Sequence, residues 1–186
     1  MKIYLAGPDV FLPDAVEIGR RKVAICDRHG LIGLYPLDNN IDLASSDASR
    51  QIFHGNEAMM DDADAIIANL TPFRGPGADA GTVYEFGYMA GSGKLCLGYC
   101  NDPAVYADRA RRFTTVTEQD GRVVDAEGLT VEDFGLPDNL MMIHALELRG
   151  HPLVLPGERP ADVWRDLRAF EACVELAAAR LATRTV

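Results

Sequence analysis

Residues 65 to 93 read AIIANLTPFRGPGADAGTVYEFGYMAGSG, and three kinds of structure follow one another in this stretch. Residues 65–70 form the most hydrophobic run of the chain, which is typical of a central, fully buried strand. Residues 71–80 are rich in proline and glycine and predict a loop, and residues 81–93 predict a helix. A strand, a loop and a helix in this order favour a parallel sheet that is covered by helices.

The same alternation continues towards both ends of the chain. It predicts strands at 2–6, 31–35 and 94–99, a short edge strand at 152–155, and helices at 14–30, 49–62, 102–112 and 161–181. The first helix begins with the spacing of a capping box, Asp14 to Glu17. The last helix carries an apolar stripe made of Trp164, Leu167, Val174, Ala178 and Leu181. Asp120-Gly121, between β-branched runs, predicts a small β-ribbon insertion at 114–124. We therefore expect an α/β fold with a doubly wound sheet of about five parallel strands, in one domain that spans residues 1–186.

The chain is acidic, with 28 Asp and Glu against 18 Lys and Arg and a formal charge of −10. Long-range repulsion makes a nucleic acid polymer or an anionic membrane a poor partner, so a small, weakly charged ligand fits better. No apolar run approaches the roughly 20 residues of a membrane span, and residues 1–6 resemble a strand rather than a signal peptide, so we expect a cytoplasmic protein.

The four cysteines are predicted to be buried thiols. The four histidines lack the spacing of metal ligands, and no metal or other cofactor is expected.

In a parallel sheet, ligands gather at the carboxyl ends of the strands. The loops at residues 7–13, 36–49 and 71–82 are therefore the candidate binding loops. The first of them has neither the G-x-G-x-x-G fingerprint nor a Walker lysine, and Pro8 lacks an amide donor, which disfavours phosphoanhydride binding. Phe11 in this loop could stack on a planar ring or fold onto the core.

Two acidic residues accompany the third loop. Thr82 to Glu85 has the spacing of a capping box, so Glu85 could do no more than satisfy the first amides of the helix. The positive end of the helix dipole would also keep this carboxylate ionised, as a nucleophile requires. Asp79 could equally form a turn or contact a ligand. The residues alone leave both alternatives open.

Three blocks resemble the nucleoside 2-deoxyribosyltransferase family. They are YLAGPDVF at 4–11, DAGTVYEFG at 79–87 and FGLPDNLM at 134–141, and the likeness covers most of residues 1–150. The resemblance implies a flavodoxin-like fold and exchange of the base of a 2′-deoxyribonucleoside for another free nucleobase. The exchange would pass through a covalent glycosyl intermediate, and two inversions would give net retention.

The resemblance also implies roles for residues at the chemical centre. Glu85 matches the nucleophile, and Tyr4 matches a tyrosine that donates a hydrogen bond to it. Asp79 matches the acid that holds the sugar 5′-hydroxyl, and its charge would repel a 5′-phosphate, which favours a nucleoside over a nucleotide. Gly7 and Phe11 belong to the first block and are further candidates for substrate binding.

Other candidates surround this centre. Asp38 and Asn39 resemble the loop beside the base. Asn69 takes the place of an aspartate that contacts the leaving base in many relatives, and its amide cannot deliver a proton at neutral pH. Hydrolysis of (deoxy)nucleosides or nucleotides, or a sensor without catalysis, therefore stays an alternative.

Asn139 and Met141 match residues that reach into the site from a neighbouring subunit, which implies a homo-oligomer, a dimer or a trimer of dimers, with shared active sites. Asp138-Asn139 could instead be a plain helix cap before Leu140.

Overall fold

The computed structural model describes residues 1–38, 41 and 44–184. Its central feature is a sheet of four parallel strands in the order β2-β1-β3-β4. The strands are β1 (Lys2–Ala6), β2 (Ile32–Leu34), β3 (Ala65–Asn69) and β4 (Leu95–Tyr99). Every residue of β3 is buried, as the run of apolar residues predicts for a central strand. The predicted doubly wound parallel sheet is confirmed, with one strand fewer than expected.

The predicted edge strand at 152–155 contributes a single bridge rather than a strand. Val154 pairs with Tyr99 in parallel, and its N–H donates to the Gly98 carbonyl at 2.9 Å. Proline stands at residues 152 and 156, on either side of this bridge. Because proline has no N–H to add to a ladder, pairing does not extend beyond Val154.

Six helices accompany the sheet in the described residues: α1 (Ala15–Arg28), α2 (Ala48–Asp62), α3 (Ala80–Gly91), α4 (Tyr106–Ala110), α5 (Leu140–Glu147) and α6 (Arg168–Arg184). Successive side chains of a strand point to opposite faces of the sheet. Ile3 and Leu5 pack in one core cluster with residues of α1 and α6. Tyr4 and Ala6 pack in a second cluster with residues of α2, α3 and α5. No helix in these ranges is both long and apolar enough to cross a membrane.

Two helices begin later than predicted, because aspartates hold the preceding segments in turns. The Asp102 carboxylate accepts the Ala104 N–H at 3.1 Å, and α4 begins only at Tyr106. Asp166 accepts the Arg168 N–H at 3.0 Å at the start of α6. The predicted helices at 102–112 and 161–181 are therefore wrong at their starts, and Trp164 and Leu167 of the predicted stripe lie before α6. Asp14 precedes α1 as predicted, but its carboxylate pairs with Arg165 instead of capping the helix.

The predicted ribbon is confirmed as a short hairpin. Strands β5 (Thr117–Gln119) and β6 (Arg122–Val124) pair antiparallel. Asp120 and Gly121 connect them with φ angles of 51° and 73°. Two consecutive positive φ angles match the twist of the flanking strands, which is why an Asp-Gly pair suits this turn.

Candidate active site

The start of α3 shows which residue caps the helix and whether the Glu85 carboxylate takes part in that cap. Asp79 is the N-cap residue, and its Oδ2 accepts the Thr82 N–H at 2.9 Å and the Thr82 hydroxyl at 3.1 Å. The helix therefore begins before the predicted residue, and the capping box from Thr82 to Glu85 is wrong. Because Asp79 is the capping residue, Glu85 lies in the second turn, and its carboxylate does not cap the helix.

Glu85 instead makes a short hydrogen bond to the sheet. The Tyr4 hydroxyl, from the middle of β1, donates to Glu85 Oε1 at 2.6 Å. Burial raises the pKa of Glu85 to about 7, the hydrogen bond from Tyr4 opposes that rise, and the nearby charge of Asp79 adds to it. Burial and the Glu85 carboxylate raise the pKa of Tyr4 far above its ordinary range. Tyr4 is therefore a permanent donor to a carboxylate that is poised between its two protonation states at neutral pH.

A cavity of about 480 Å³ opens above this pair. Its volume suits a small ligand. The wall is mostly apolar, and it carries two carboxylates and one amide side chain. The lining residues are Gly7, Val10, Phe11, Val16, Pro36, Leu37, Ile41, Ile52, Asn56, Asp79, Gly81, Thr82 and Glu85.

Three of the predicted substrate-binding residues and the predicted nucleophile thus lie in one cavity. Gly7, Phe11, Asp79 and Glu85 all line it, and Tyr4 reaches it through Glu85. Phe11 is 57% exposed, and its ring stacks on that of Phe73 with centroids 5.3 Å apart and planes at 14°. It does not fold onto the core, so an aromatic ring is available at the cavity wall.

Asn69 does not line the cavity in this structure, and its contact with a base stays a prediction. Its side chain is buried, with Nδ2 donating to Asp9 Oδ1 at 2.9 Å and Oδ1 accepting the Thr71 N–H at 3.1 Å. The alternation along β3 turns Asn69 to the same face as Ile67, which belongs to the α1 and α6 cluster. Tyr4 and Glu85 lie on the other face.

Asn56 is a lining residue that was not predicted from the sequence. It lies on α2, one turn after Ile52, and both residues line the cavity. Its Oδ1 is buried and has no hydrogen-bond partner within the described residues. A buried acceptor without a donor is costly, so this oxygen is suited to an N–H group of a ligand. The only signal in the sequence was the shared helical face of residues 52 and 56.

Four predicted residues remain, of which Asn139 and Met141 do not line the cavity of their own chain. Asn139 caps α5, with its Oδ1 accepting the Met141 N–H at 3.0 Å and its Nδ2 donating to Glu132 at 2.7 Å. Met141 is 71% exposed. Asp38 ends a 3-10 turn (Pro36–Asp38) whose first two residues line the cavity, and Asn39 lies outside the described residues. Within one chain, Asn139 acts as a helix cap, and its contribution to a neighbouring site stays a prediction.

The described lining of the cavity contains no cysteine and no histidine. All four cysteines are free and buried, as predicted. No group of three or more His, Cys, Asp or Glu side chains in the described ranges is placed to hold a metal ion. The polar and aromatic groups that the described residues bring to the site are two carboxylates, a phenol, the Thr82 hydroxyl, an amide and an aromatic ring.

Comparison with known proteins relates this arrangement to one family. The family model of nucleoside 2-deoxyribosyltransferases matches residues 3–141. An uncharacterised protein of Schizosaccharomyces pombe is 31% identical over an aligned length of 164 residues, and the match covers 80% of this chain and 78% of that protein. A solved structure of a 2-desoxiribosyltransferase from Leishmania mexicana is 32% identical, covers 96% of this chain and 97% of its own, and superposes with a TM-score of 0.67. A conserved protein from Enterococcus faecalis, 18% identical, shares the fold with a TM-score of 0.57 over 95% of this chain and 98% of its own.

Proposed function

Because the chain belongs to the nucleoside 2-deoxyribosyltransferase family, we propose that it moves 2-deoxyribose from one nucleobase to another through an ester of Glu85. The observation that carries this proposal is the buried Tyr4–Glu85 hydrogen bond beside a cavity of nucleoside size. Tyr4 occupies Oε1, which leaves Oε2 as the attacking oxygen. A carboxylate that is partly desolvated and fixed by one donor is a competent nucleophile.

The reaction consists of two displacements at C1′ of the sugar. In the first, Glu85 Oε2 forms a bond to C1′ while the glycosidic C–N bond breaks, and the base leaves with the electron pair. In the second, a nitrogen of the incoming base attacks C1′ while the ester C–O bond breaks, the N–H proton of that base passes to water, and Glu85 regains its carboxylate. Each step inverts C1′, so the product retains the original configuration. A sugar without a 2′-hydroxyl stabilises the oxocarbenium-like transition states, because no electron-withdrawing oxygen lies beside C1′.

The base is held by the neutral groups of the wall. Phe11 offers an aromatic ring, and Asn56 Oδ1, which has no partner among the described residues, accepts an N–H from the base. An amide side chain stabilises the leaving base by hydrogen bonding but cannot protonate it at neutral pH. The proton that neutralises the departing base therefore comes from water.

Asp79 binds the sugar in this proposal. Its Oδ2 is used by Thr82, and its Oδ1 makes no hydrogen bond to the described residues, so it can accept the 5′-hydroxyl. A second carboxylate beside Glu85 repels a 5′-phosphate. A nucleoside is therefore favoured over a nucleotide. Asn139 and Met141 of a neighbouring copy would complete the site in a homo-oligomer.

The proposal is tested by a base-exchange assay with deoxyinosine as donor, run with and without adenine. Formation of deoxyadenosine supports transfer. Free deoxyribose formed at a rate that adenine does not change would establish an N-glycoside hydrolase instead. Binding of deoxynucleosides without turnover, across several purine and pyrimidine donors, would indicate a sensor.

The role of Glu85 has its own test. Glu85→Ala is expected to lower exchange by at least about 10³-fold, because the other carboxylate of the cavity, Asp79, is held as the cap of α3. Glu57→Ala, on α2 outside the cavity, is the control and keeps its activity. If Glu85→Ala retained exchange near the native rate, Glu85 would not be the nucleophile.

A further inference from the structure

A buried ion pair lies directly behind one wall of the cavity. Lys22 Nζ is 2.6 Å from Asp9 Oδ2, and the two side chains are 2% and 0% exposed. Burying a charge is costly unless it is paired and hydrogen-bonded. The chain has only three lysines, and it places one of them here.

Asp9 connects several elements at the carboxyl edge of the sheet. Its carboxylate accepts from Lys22 of α1, from the Tyr35 hydroxyl just after β2 at 3.2 Å, and from Asn69 at the end of β3. Lys22 Nζ also lies 5.3 Å from the centre of the Phe170 ring of α6. Burial would raise the pKa of Asp9, but the charge of Lys22 and the hydrogen bonds hold it below its ordinary value. Asp9 is therefore ionised at neutral pH.

The neighbours of Asp9 in the chain form the wall itself. Asp9 lies in a 3-10 turn (Pro8–Phe11), and Gly7, Val10 and Phe11 on either side of it line the cavity. A Cβ atom on Gly7 would collide with Asp9 Oδ1 and would lie 2.7 Å from the Asn69 Cβ. The carboxylate thus contacts the backbone of the wall, and a displacement of Asp9 displaces the wall.

We propose that the Asp9–Lys22 ion pair positions the wall made by Gly7, Val10 and Phe11 so that it can bind the nucleoside, an inference that rests on the proposed function. The pair lies on the α1 and α6 side of the sheet, whereas Tyr4 and Glu85 meet on the α3 side. Loosening the wall therefore weakens substrate binding more than it slows the displacement at C1′. The effect appears in KM rather than in kcat.

The single tryptophan reports the position of this wall without any substrate. Trp164 contacts Phe73 edge to face at 6.2 Å between centroids, and Phe73 stacks on Phe11. A shift of Phe11 changes the surroundings of the indole. The fluorescence of Trp164 thus provides a readout that does not depend on catalysis.

The experiment compares Asp9→Asn with Ile25→Ala. Ile25 lies one turn after Lys22 on α1 and is buried in the core cluster between α1 and α6. The control therefore loses packing from the same helix. We expect Asp9→Asn to raise KM about tenfold or more, to leave kcat within about threefold, and to shift the Trp164 emission. Ile25→Ala lowers the unfolding free energy but changes neither KM nor the Trp164 emission. A folded Asp9→Asn with native KM and native emission would overturn the proposal, as would an equal rise of KM in the control.

A second variant applies if Asp9→Asn does not fold. The double variant Asp9→Leu with Lys22→Met replaces the buried pair by apolar side chains, an exchange that proteins often tolerate. It should show the same rise of KM and shift of emission, and a native KM and emission would overturn the proposal. If the native protein itself lacks exchange, the proposed function fails, and the Trp164 emission still tests the positioning of the wall.

Discussion

Tyr4 and Glu85 are 81 residues apart in the sequence, and their hydrogen bond joins the middle of a strand to the second turn of a helix. The bond stabilises the charged form of Glu85, whereas burial and Asp79 disfavour it. The pKa near 7 results from these opposed effects. The effect of the hydrogen bond can be tested by a substitution at Tyr4.

Tyr4→Phe removes the one contribution that lowers the pKa of Glu85. We expect that pKa to rise by about one unit, and the acidic limb of the kcat/KM profile to move to higher pH by the same amount. At neutral pH the variant is slower because less of the carboxylate is ionised. The measurement is the pH dependence of base exchange.

Tyr88→Phe is the matched control for this change. Tyr88 also lies on α3 and donates a 2.6 Å hydrogen bond to a carboxylate, that of Asp61, but this bond is on the surface. Its pH profile should match that of the native protein. An unchanged profile in Tyr4→Phe would mean that the hydrogen bond does not influence ionisation of the nucleophile.

At the scale of elements, the end of α2 is held by a lysine. Lys94 Nζ donates to the carbonyl oxygens of Met60, Asp61 and Ala63 at 2.6, 2.7 and 2.8 Å. These carbonyls are at or just after the last turn of the helix, where no intrahelical donor is available. A cation there also complements the helix dipole.

Lys94→Met should therefore lower the unfolding free energy by about 1–3 kcal/mol. The measurement is urea denaturation at neutral pH. Lys2→Met is the control, because Lys2 pairs with Asp62 at the surface and such pairs contribute about 0–1 kcal/mol. Equal losses in the two variants would argue against a special role for the cap.

Elements with a strong pattern could be predicted from the sequence, whereas the site depended on contacts that the sequence does not display. The apolar run at 65–70 and the Asp120-Gly121 turn were predicted close to their observed bounds, because local chemistry determines both. The sequences from Asp79 to Thr82 and from Thr82 to Glu85 have the same capping spacing. In the structure, the pair from Asp79 to Thr82 caps the helix, and Glu85 accepts a hydrogen bond from Tyr4 on a strand that is distant in the sequence. Asn56 could not be predicted either, because only the packing of α2 brings its amide to the cavity.

For the molecule as a whole, the buried Glu85 opposes folding. Its pKa is about 7 in the folded chain against an ordinary value of 4.5, so between these values the folded chain binds more protons than the unfolded chain. The free energy of unfolding therefore falls as the pH rises from about 4.5 to about 7, because the buried carboxylate ionises less readily than the exposed one. Folding places this carboxylate where it is needed for the reaction at the cost of stability.

Glu85→Gln removes this loss and keeps an acceptor for Tyr4. We expect the variant to be more stable than the native protein by up to about 3 kcal/mol at about pH 8, and by little at about pH 4. Urea denaturation at both pH values measures the difference. A variant that is less stable than the native protein at the higher pH would show that burial does not perturb Glu85 as inferred.

The described residues that line the cavity all lie between Gly7 and Glu85, in the first half of the chain. Residues 101–184 supply α4, α5, α6 and the hairpin, which pack around the sheet or lie outside it. Within one chain, the first half thus lines the cavity, and the second half packs around the sheet. Chimeras that exchange only residues 7–16 and 36–56 between relatives should transfer the choice of nucleobase while the recipient's framework is kept, which makes these two segments a natural unit for directed evolution.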